Sequence, residues 1–217
     1  MESSLGDYAG APLSNVRDFL SGRLEYLVLK RLFDIVISLA LLVLLLPLFV
    51  LIALAIKVST GGSVFFSQER VGMNGRRFWI YKFRTMISAS KLICDTRWSH
   101  PQDERITPLG RFLRRASLDE LPQLVNVLLG DMSLVGPRPE RPYYVEVFRQ
   151  KVPKYALRQS VKCGMTGWAQ VNGWRGDTSI HKRLEHDLYY LHNWTFWLDV
   201  KILLLTLLRG FNHPNAN

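Results

Sequence analysis

Hydrophobic residues are concentrated in one long stretch of the chain, residues 35–56, which only Ser38 and Pro47 interrupt. As a single helix this stretch would measure roughly 33 Å, which is enough to cross the hydrocarbon core of a bilayer. Pro47 lies near its middle, where the missing N–H and the bulk of the ring kink or break a helix. The pattern therefore predicts a membrane helix with a break at Pro47.

Basic residues lie on both sides of this stretch, so the charge pattern assigns no orientation to it. Lys30 and Arg31 precede it, and Lys57 and Arg70 follow it, whereas a spanning helix carries its excess of Lys and Arg on one side. A helix–break–helix that enters one leaflet and returns would keep both basic ends on the same surface. From the residues alone, a complete span is the alternative.

Downstream, the hydrophobic pattern predicts a small hairpin and several amphipathic helices. Asn74-Gly75, a strong turn signal, lies between the apolar segments 64–66 and 78–81 and predicts a β-hairpin. Residues 105–115 are typical of a basic amphipathic helix that starts after Pro108 and faces the core or a membrane interface, and residues 200–208 of an interfacial helix. The predicted fold class is α+β and mostly helical, with a re-entrant membrane helix–break–helix, a small β-hairpin and interfacial amphipathic helices.

The amino-acid composition indicates an anionic binding partner. The 217-residue chain carries a net charge of +10, which favours nucleic acid, anionic lipid or a phosphorylated substrate without choosing among them. Cys94 and Cys163 lack metal-ligand spacing, which is typical of reduced thiols. We expect a leader and a short amphipathic helix over residues 1–29, the membrane hairpin over 30–60, and a cytosol-facing domain with interfacial helices over 61–217.

Two adjacent carboxylates, Asp119 and Glu120, begin a helical pattern in the middle of the chain. Ser117 with Glu120 three residues later fits a capping box, in which the acids only stabilise the helix start. Pro122 favours another arrangement, because its ring would clash with a carbonyl inside a helix capped by Ser117. The regular helix would then start at about Pro122, and both carboxylates would occupy an irregular turn open to a ligand. The polar face of this helix also carries Gln123 and Asn126.

Two loops after this helix have the composition of phosphate-binding segments. Pro137 and Pro139 enclose Arg138, and a guanidinium suits a phosphate because it donates two parallel charge-assisted hydrogen bonds. Residues 158–173 contain glycines that could bring backbone amides close to a phosphate. Each loop taken alone is also compatible with an ordinary turn.

A resemblance to a known family joins these segments. Ser117-Leu118-Asp119-Glu120-Leu121-Pro122-Gln123-Leu124, Gly130-Asp131-Met132-Ser133 and Val135-Gly136-Pro137-Arg138-Pro139 resemble the bacterial sugar transferases, the monotopic polyprenol-phosphate phosphoglycosyl transferases. Residues 158–173 resemble a second motif of that family, with Cys163 where members usually have proline. Residues 174–177 resemble the branch that transfers glucose or galactose phosphate.

The resemblance implies a role for individual residues. Asp119 would be the nucleophile, and Glu120 would bind a metal ion or accept a proton. Asp187 matches a recurrent acid of the family, so Asp119, Glu120 and Asp187 are the candidate Mg²⁺ ligands. Pro47 would mark the turn of a re-entrant membrane helix. The candidate substrate-binding residues are Arg114, Pro137, Arg138, Pro139, Arg158 and Gln170.

The implied function is a Mg²⁺-dependent transfer at the bacterial inner membrane, with the catalytic domain facing the cytosol. Asp119 would take hexose-1-phosphate, with glucose or galactose as the hexose, from a UDP-hexose and pass it to undecaprenyl phosphate, starting exopolysaccharide, O-antigen or capsule synthesis. This interpretation involves no nucleic acid. The alternatives are a membrane-tethered nucleic-acid binder and a noncatalytic scaffold. The oligomeric state stays open, with a homodimer among the alternatives.

Overall fold

The structure, a computed structural model, describes residues 24–87 and 103–209. The predicted leader up to residue 23 and the segment 88–102 lie outside the described residues. The described part is mostly helical and contains two small two-stranded sheets. This composition of elements confirms the predicted α+β class.

Two consecutive apolar helices, α1 (Leu24–Leu44) and α2 (Leu46–Thr60), meet at a bend of 60°. The predicted break is confirmed, but it lies at Leu45 rather than at Pro47, which sits in the first turn of α2. Proline is tolerated in a first turn, and it has no N–H to donate to the carbonyl four residues earlier in α1. The continuous helix therefore has to end just before Pro47.

The bent pair is the part of the fold best suited to lipid. No single helix among the described residues is long and apolar enough to cross a membrane, but α1 and α2 together meet the length and composition required. Residues 24–29, the described end of the predicted short amphipathic helix, belong to the same helix α1 as the apolar stretch. Soluble proteins rarely expose so many apolar side chains on one surface. The exposed apolar side chains of the pair include Val36, Val43, Leu44, Leu51, Leu54 and Val58.

The predicted hairpin is confirmed as β1 (Phe65–Val71) and β2 (Arg77–Phe83), which pair antiparallel. Its turn contains Asn74 at φ 56° and Gly75 at φ 78°, the backbone region that favours Asn and Gly. Because directly paired residues share a face, Arg70 and Lys82 lie on the same side of the hairpin as the buried residues Gln68, Phe78 and Ile80.

The rest of the chain forms short elements around a second, parallel pair of strands. This pair joins β3 and β4, with Ser133 opposite Gly164 and Val135 opposite Thr166, and the sequence pattern did not predict it. The remaining elements are α3 (Pro108–Arg115), α4 (Gln123–Leu129), β3 (Ser133–Val135), α5 (Pro142–Lys151), β4 (Gly164–Thr166), α6 (Trp168–Val171), α7 (Ile180–His192) and α8 (Phe196–Arg209).

The main hydrophobic core lies where α1, α4, α7 and α8 pack around β3 and β4. Val127, Met132 and Ile202 are fully buried there. A smaller cluster joins α2, β2 and α3, through Ile56, Phe83 and Leu113 among others. The bent helix pair is thus packed into both clusters and shares its hydrophobic contacts with the rest of the molecule.

Asn126 joins α4 to the edge of the hairpin. Its Nδ2 donates to the Trp79 carbonyl at 2.7 Å, and its Oδ1 accepts from the Tyr81 amide at 3.0 Å. Asn126 and Gln123 are both fully buried, so the two polar side chains that the sequence placed opposite the core face of α4 lie inside the protein. The Asn126 amide side chain completes the hydrogen bonds of β2, and this contact fixes Lys82, the next residue, relative to the start of α4.

A buried ion pair joins α1 to α8. The Lys30 Nζ lies 2.6 Å from Asp199 Oδ2 and also donates to the Val135 carbonyl at 3.0 Å. The Tyr190 hydroxyl donates to the same aspartate at 2.7 Å. Asp34, one turn further along α1, accepts from the Leu134 amide at 3.0 Å. These contacts attach the bent helix pair directly to β3, which leads into the Arg138 loop.

Candidate active site

The two adjacent carboxylates lie on an irregular turn in front of α4. Residues Leu118–Glu120 form a single 3₁₀ turn, and Pro122 immediately precedes α4. Ser117 adopts a left-handed conformation with φ 54°, and its side chain caps no amide. The capping-box interpretation is therefore wrong. The alternative that Pro122 favoured, an irregular turn before the helix, is confirmed.

Glu120 is enclosed by two cations. Arg138 donates to both of its oxygens, through Nη1 to Oε2 at 3.1 Å and through Nη2 to Oε1, and Lys82 Nζ lies 2.6 Å from Oε1. Burial acts to raise the pKa of Glu120, but the charges of Arg138 and Lys82 outweigh it and hold the pKa well below its usual value. Glu120 is therefore ionised at neutral pH.

Asp119 has the opposite electrostatic environment. Its side chain is 7% exposed, and burial raises its pKa, as does the negative charge of Glu120, while Lys82 acts in the opposite direction. Within residues 24–87 and 103–209, no hydrogen bond to the Asp119 carboxylate is found. Two neighbouring carboxyl groups with pKa values shifted in opposite directions are typical of a site that gives them different roles. Asp119 is the more basic of the two and keeps its oxygens available.

Arg114 approaches this pair from the last turn of α3. Its Nε donates to the Thr85 Oγ1 at 2.8 Å, and its charge is among those that lower the pKa of Asp119. Helix α3 packs directly on the chain beyond β2, because a Cβ added at Gly110 would lie 2.1 Å from the Thr85 carbonyl oxygen. The absence of a side chain at Gly110 thus sets the distance between α3 and Thr85, and with it the position of Arg114.

The site contains two cations that the sequence-based selection of site residues omitted. Lys82 contacts Glu120 directly. Arg175 lies close enough to Arg138, Glu120 and Asp119 for their charges to affect its pKa, which burial lowers. The sequence offered one signal for each residue. Lys82 lies on the inward side of a predicted strand, and Arg175 lies in a loop flanked by glycines. Neither signal distinguishes a ligand contact from a surface charge.

The loop that carries Arg138 is fixed by its neighbours. The Pro137 carbonyl accepts from the Gly164 amide at 3.0 Å, and the Pro139 carbonyl accepts from Arg70 Nη1 at 3.2 Å. Backbone packing is tightest at Gly164, where an added Cβ would lie 2.1 Å from the Gly136 nitrogen. Of the predicted substrate-binding residues, Arg138 bonds to Glu120 and Arg114 acts on Asp119 through its charge, whereas Pro137 and Pro139 flank Arg138 in its loop.

Two other predicted residues are engaged within the protein. Arg158 is 6% exposed and lies 2.7 Å from Asp187. Gln170 is 8% exposed, and its Nε2 donates to the Met165 carbonyl at 2.9 Å, while its buried Oε1 has no partner among the described residues. The structure thus places the Arg158 side chain behind the Arg138 loop and leaves one polar atom of Gln170 unbonded.

The predicted metal ligands do not converge. Within the described part of the chain, no group of three or more His, Cys, Asp or Glu residues is placed to hold a metal ion, and Asp187 is already paired with Arg158. Mg²⁺, however, needs only one or two protein carboxylates when substrate phosphates supply further oxygens. Asp119 and Glu120 fit that requirement, and Asp187 does not join them.

Comparisons with known proteins find related sequences along most of this chain. The family model described as "Bacterial sugar transferase" matches residues 25–213. A UDP-glucose:undecaprenyl-phosphate glucose-1-phosphate transferase of Escherichia coli (strain K12) is 44% identical over 223 residues, covering 100% of this chain and 47% of the relative. An undecaprenyl-phosphate glucose phosphotransferase of Komagataeibacter xylinus is 44% identical, covering 86% of this chain and 36% of its own length.

A third relative differs in the sugar that its name specifies. The UDP-N-acetylgalactosamine-undecaprenyl-phosphate N-acetylgalactosaminephosphotransferase of Aeromonas hydrophila is 41% identical, covering 86% of this chain and 45% of its own length. The chain thus spans less than half the length of these three curated relatives. Similar degrees of identity accompany different sugars.

Proposed function

Because this chain belongs to the bacterial sugar transferase family, we propose that it transfers glucose-1-phosphate from UDP-glucose to undecaprenyl phosphate and so starts the assembly of a polysaccharide. The names of the E. coli and K. xylinus relatives support this choice of donor and acceptor. The observation that carries the proposal is the Asp119–Glu120 turn, where one carboxylate with a raised pKa, to which no described residue donates a hydrogen bond, lies beside a cluster of cations. The A. hydrophila relative makes UDP-N-acetylgalactosamine the first competing donor to test.

The proposed reaction has two steps, both at Asp119. A carboxylate oxygen of Asp119 attacks the phosphorus next to the sugar, the bond to the bridging oxygen breaks, and UMP leaves. The phosphate oxygen of the lipid then attacks the same phosphorus, the bond to Asp119 breaks, and the carboxylate is regenerated. Covalent catalysis of this kind divides one difficult transfer between a soluble donor and a lipid acceptor into two easier ones.

The cations of the site counter the negative charge of the diphosphate. A carboxylate is repelled by phosphate oxygens, and catalysis of phosphoryl transfer consists mainly of positioning and charge neutralisation. Arg138 is the strongest candidate phosphate contact, because its side chain is 29% exposed beside the carboxylate pair and its planar guanidinium can donate two parallel hydrogen bonds to a phosphate. Lys82 and Arg114 contribute further positive charge beside Asp119. Mg²⁺, held by Asp119, Glu120 and the substrate phosphates, would supply additional charge neutralisation when bound.

We propose that the bent helix pair enters the inner membrane from the cytosolic side and returns to it. Three observations support this topology: the exposed apolar side chains of α1 and α2, the 60° bend, and the buried contact between Lys30 and Asp199 at the foot of α1. A re-entrant pair keeps the Asp119 turn on the side where UDP-sugars are made and next to the headgroups of the lipid acceptor.

The proposal is tested by measuring UMP release from a panel of UDP-sugars, with and without undecaprenyl phosphate. We expect UMP release above background with UDP-glucose, and steady turnover only when the lipid is present. The Asp119→Asn variant should lose turnover by several orders of magnitude, whereas Asp131→Asn, beyond the other end of α4, should remain active. Normal turnover by Asp119→Asn, or no UMP release from any UDP-sugar, would refute the proposal.

A further inference from the structure

The backbone of the loop that carries Arg138 accepts hydrogen bonds at most of its carbonyl groups. Three of the donors are the side chains of buried or half-buried cations, whereas ordinary loops satisfy their carbonyls mostly with backbone amides or water. The donors are Lys30 to Val135 (3.0 Å), Gly164 N to Pro137 (3.0 Å), Arg158 to Arg138 (2.8 Å), Arg70 to Pro139 (3.2 Å) and Val71 N to Glu140 (2.9 Å).

Arg158 makes the contact nearest to the proposed chemistry. It lies in the 3₁₀ segment Tyr155–Gln159, and each of its three guanidinium nitrogens bonds to the protein. Nε donates to Asp187 at 2.8 Å, Nη1 to the Tyr155 hydroxyl at 3.0 Å, and Nη2 to the Arg138 carbonyl at 2.8 Å. Asp187 is 2% exposed. A guanidinium bound on all sides in this way is oriented toward the backbone of Arg138 and not toward a phosphate.

The torsions of the loop explain why this one contact matters. The ring of Pro137 fixes its own φ, and Pro139 restricts Arg138 to extended conformations. The main remaining freedom at Arg138 is variation of its φ by about ±40° within the extended region, which turns its side chain and its carbonyl together about the N–Cα bond. A hydrogen bond to that carbonyl therefore limits the rotation that would otherwise swing the Arg138 side chain relative to Glu120.

We propose that Arg158, oriented by Asp187, is a positioning residue that fixes the backbone of Arg138 and so directs the Arg138 guanidinium at Glu120 and the substrate diphosphate. This inference rests on the proposed function. Stability alone accounts poorly for the arrangement, because apolar residues of similar size often replace a buried ion pair without loss of stability. The charged pair supplies a directed hydrogen bond that an apolar pair cannot supply.

A double-mutant cycle between Arg158 and Arg138 tests the inference by UMP release. If Arg158 acts through Arg138, Arg158→Lys should lower kcat/KM by about 10- to 100-fold in the wild-type background, the scale expected for a misplaced binding group. In an Arg138→Met background the same substitution should change kcat/KM by less than about 3-fold. Equal factors in both backgrounds would overturn the inference, because they indicate either a separate phosphate contact or a general loss of stability.

The matched control is Tyr155→Phe, which removes one hydrogen bond from Arg158 within the same buried cluster and leaves the contact with the Arg138 carbonyl in place. Tyr155→Phe should lower the melting temperature but should not show the fall in kcat/KM that is expected for Arg158→Lys. If Arg158→Lys does not fold, the double variant Arg158→Met/Asp187→Leu keeps an apolar pair in the cavity. That variant should fold and show the same large loss of turnover, and wild-type turnover in it would equally refute the positioning role.

A second measurement does not depend on activity. Amide hydrogen exchange of the segment 136–141 should be faster in Arg158→Lys than in wild type or in Tyr155→Phe. Unchanged exchange in Arg158→Lys would overturn the inference. Absence of UMP release by the wild-type protein would refute the proposed function alone, since the exchange comparison tests the loop in either case.

Discussion

Gly110 controls the distance between helix α3 and the chain beyond β2, and the Gly110→Ala substitution tests how closely the site depends on that distance. An added Cβ would lie 2.1 Å from the Thr85 carbonyl oxygen and 2.8 Å from the Thr85 carbonyl carbon. These atoms belong to the backbone, so a rotamer change cannot relieve the contact. To reach a separation of 3.0 Å, below which Cβ contacts essentially do not occur, α3 has to move by about 0.9 Å.

Two opposing effects decide the stability of this variant. Alanine favours a helix over glycine by about 1 kcal/mol. Overpacking of this kind usually costs about 1–3 kcal/mol, and a contact with backbone belongs at the upper end. The net expectation is a destabilisation of about 1–2 kcal/mol, which corresponds to a melting temperature lower by about 2–8 °C in a domain of this size.

The effect on activity should exceed the effect on stability. Arg114, one turn along α3 from Gly110, donates to the Thr85 Oγ1 at 2.8 Å, and a shift of about 1 Å at a positioning group can lower the rate by up to about 100-fold. UMP release and thermal unfolding would be measured on the same preparation. The control is Arg111→Ala, an exposed position on the same helix. Full activity and unchanged stability in Gly110→Ala would refute the argument that α3 is held at this distance by the missing side chain.

Two further predictions concern the carboxylate pair and the membrane helices. Asp119 must be ionised to attack, and its pKa is raised by burial and by Glu120 but lowered by Lys82. The acidic limb of the kcat/KM profile should therefore move to higher pH in Lys82→Met and to lower pH in Glu120→Gln. Shifts of the same sign in the two variants would contradict this. Pro47→Ala restores an N–H inside the bend, so a cysteine reporter replacing Glu25 should become accessible from the periplasmic side, and labelling from the cytosol alone would show that proline does not set the topology.

Local conformational rules predicted several elements correctly. Pro122 excluded a capped helix at Ser117, and the structure has the irregular turn that follows from this. Asn74-Gly75 located the hairpin, because few other residues adopt positive φ without strain. The break in the membrane helix was predicted for the same kind of reason, and the error of two residues reflects the tolerance of a first helical turn for proline. In each case the deciding forces act within a few residues along the chain.

Contacts between distant segments could not be predicted in this way. The strands β3 and β4 are three residues each; β3 is buried throughout, and in β4 only Met165 is half-buried, so no alternation of polar and apolar residues marks them. Arg158 and Asp187 were assigned to substrate and metal by resemblance, whereas the structure pairs them with each other. An arginine that binds an anion and an arginine that binds an internal aspartate look alike in sequence. Only the fold shows which partner is within reach.

The pairing of the Asn126 amide with β2 also restricts how copies of this protein could associate. A free strand edge invites a neighbouring chain to extend the sheet, but here both the Trp79 carbonyl and the Tyr81 amide are already satisfied by a side chain from the same molecule. Crowding on a membrane surface therefore cannot join hairpins of adjacent molecules through this stretch of β2. A sheet shared between copies would have to form at another strand edge.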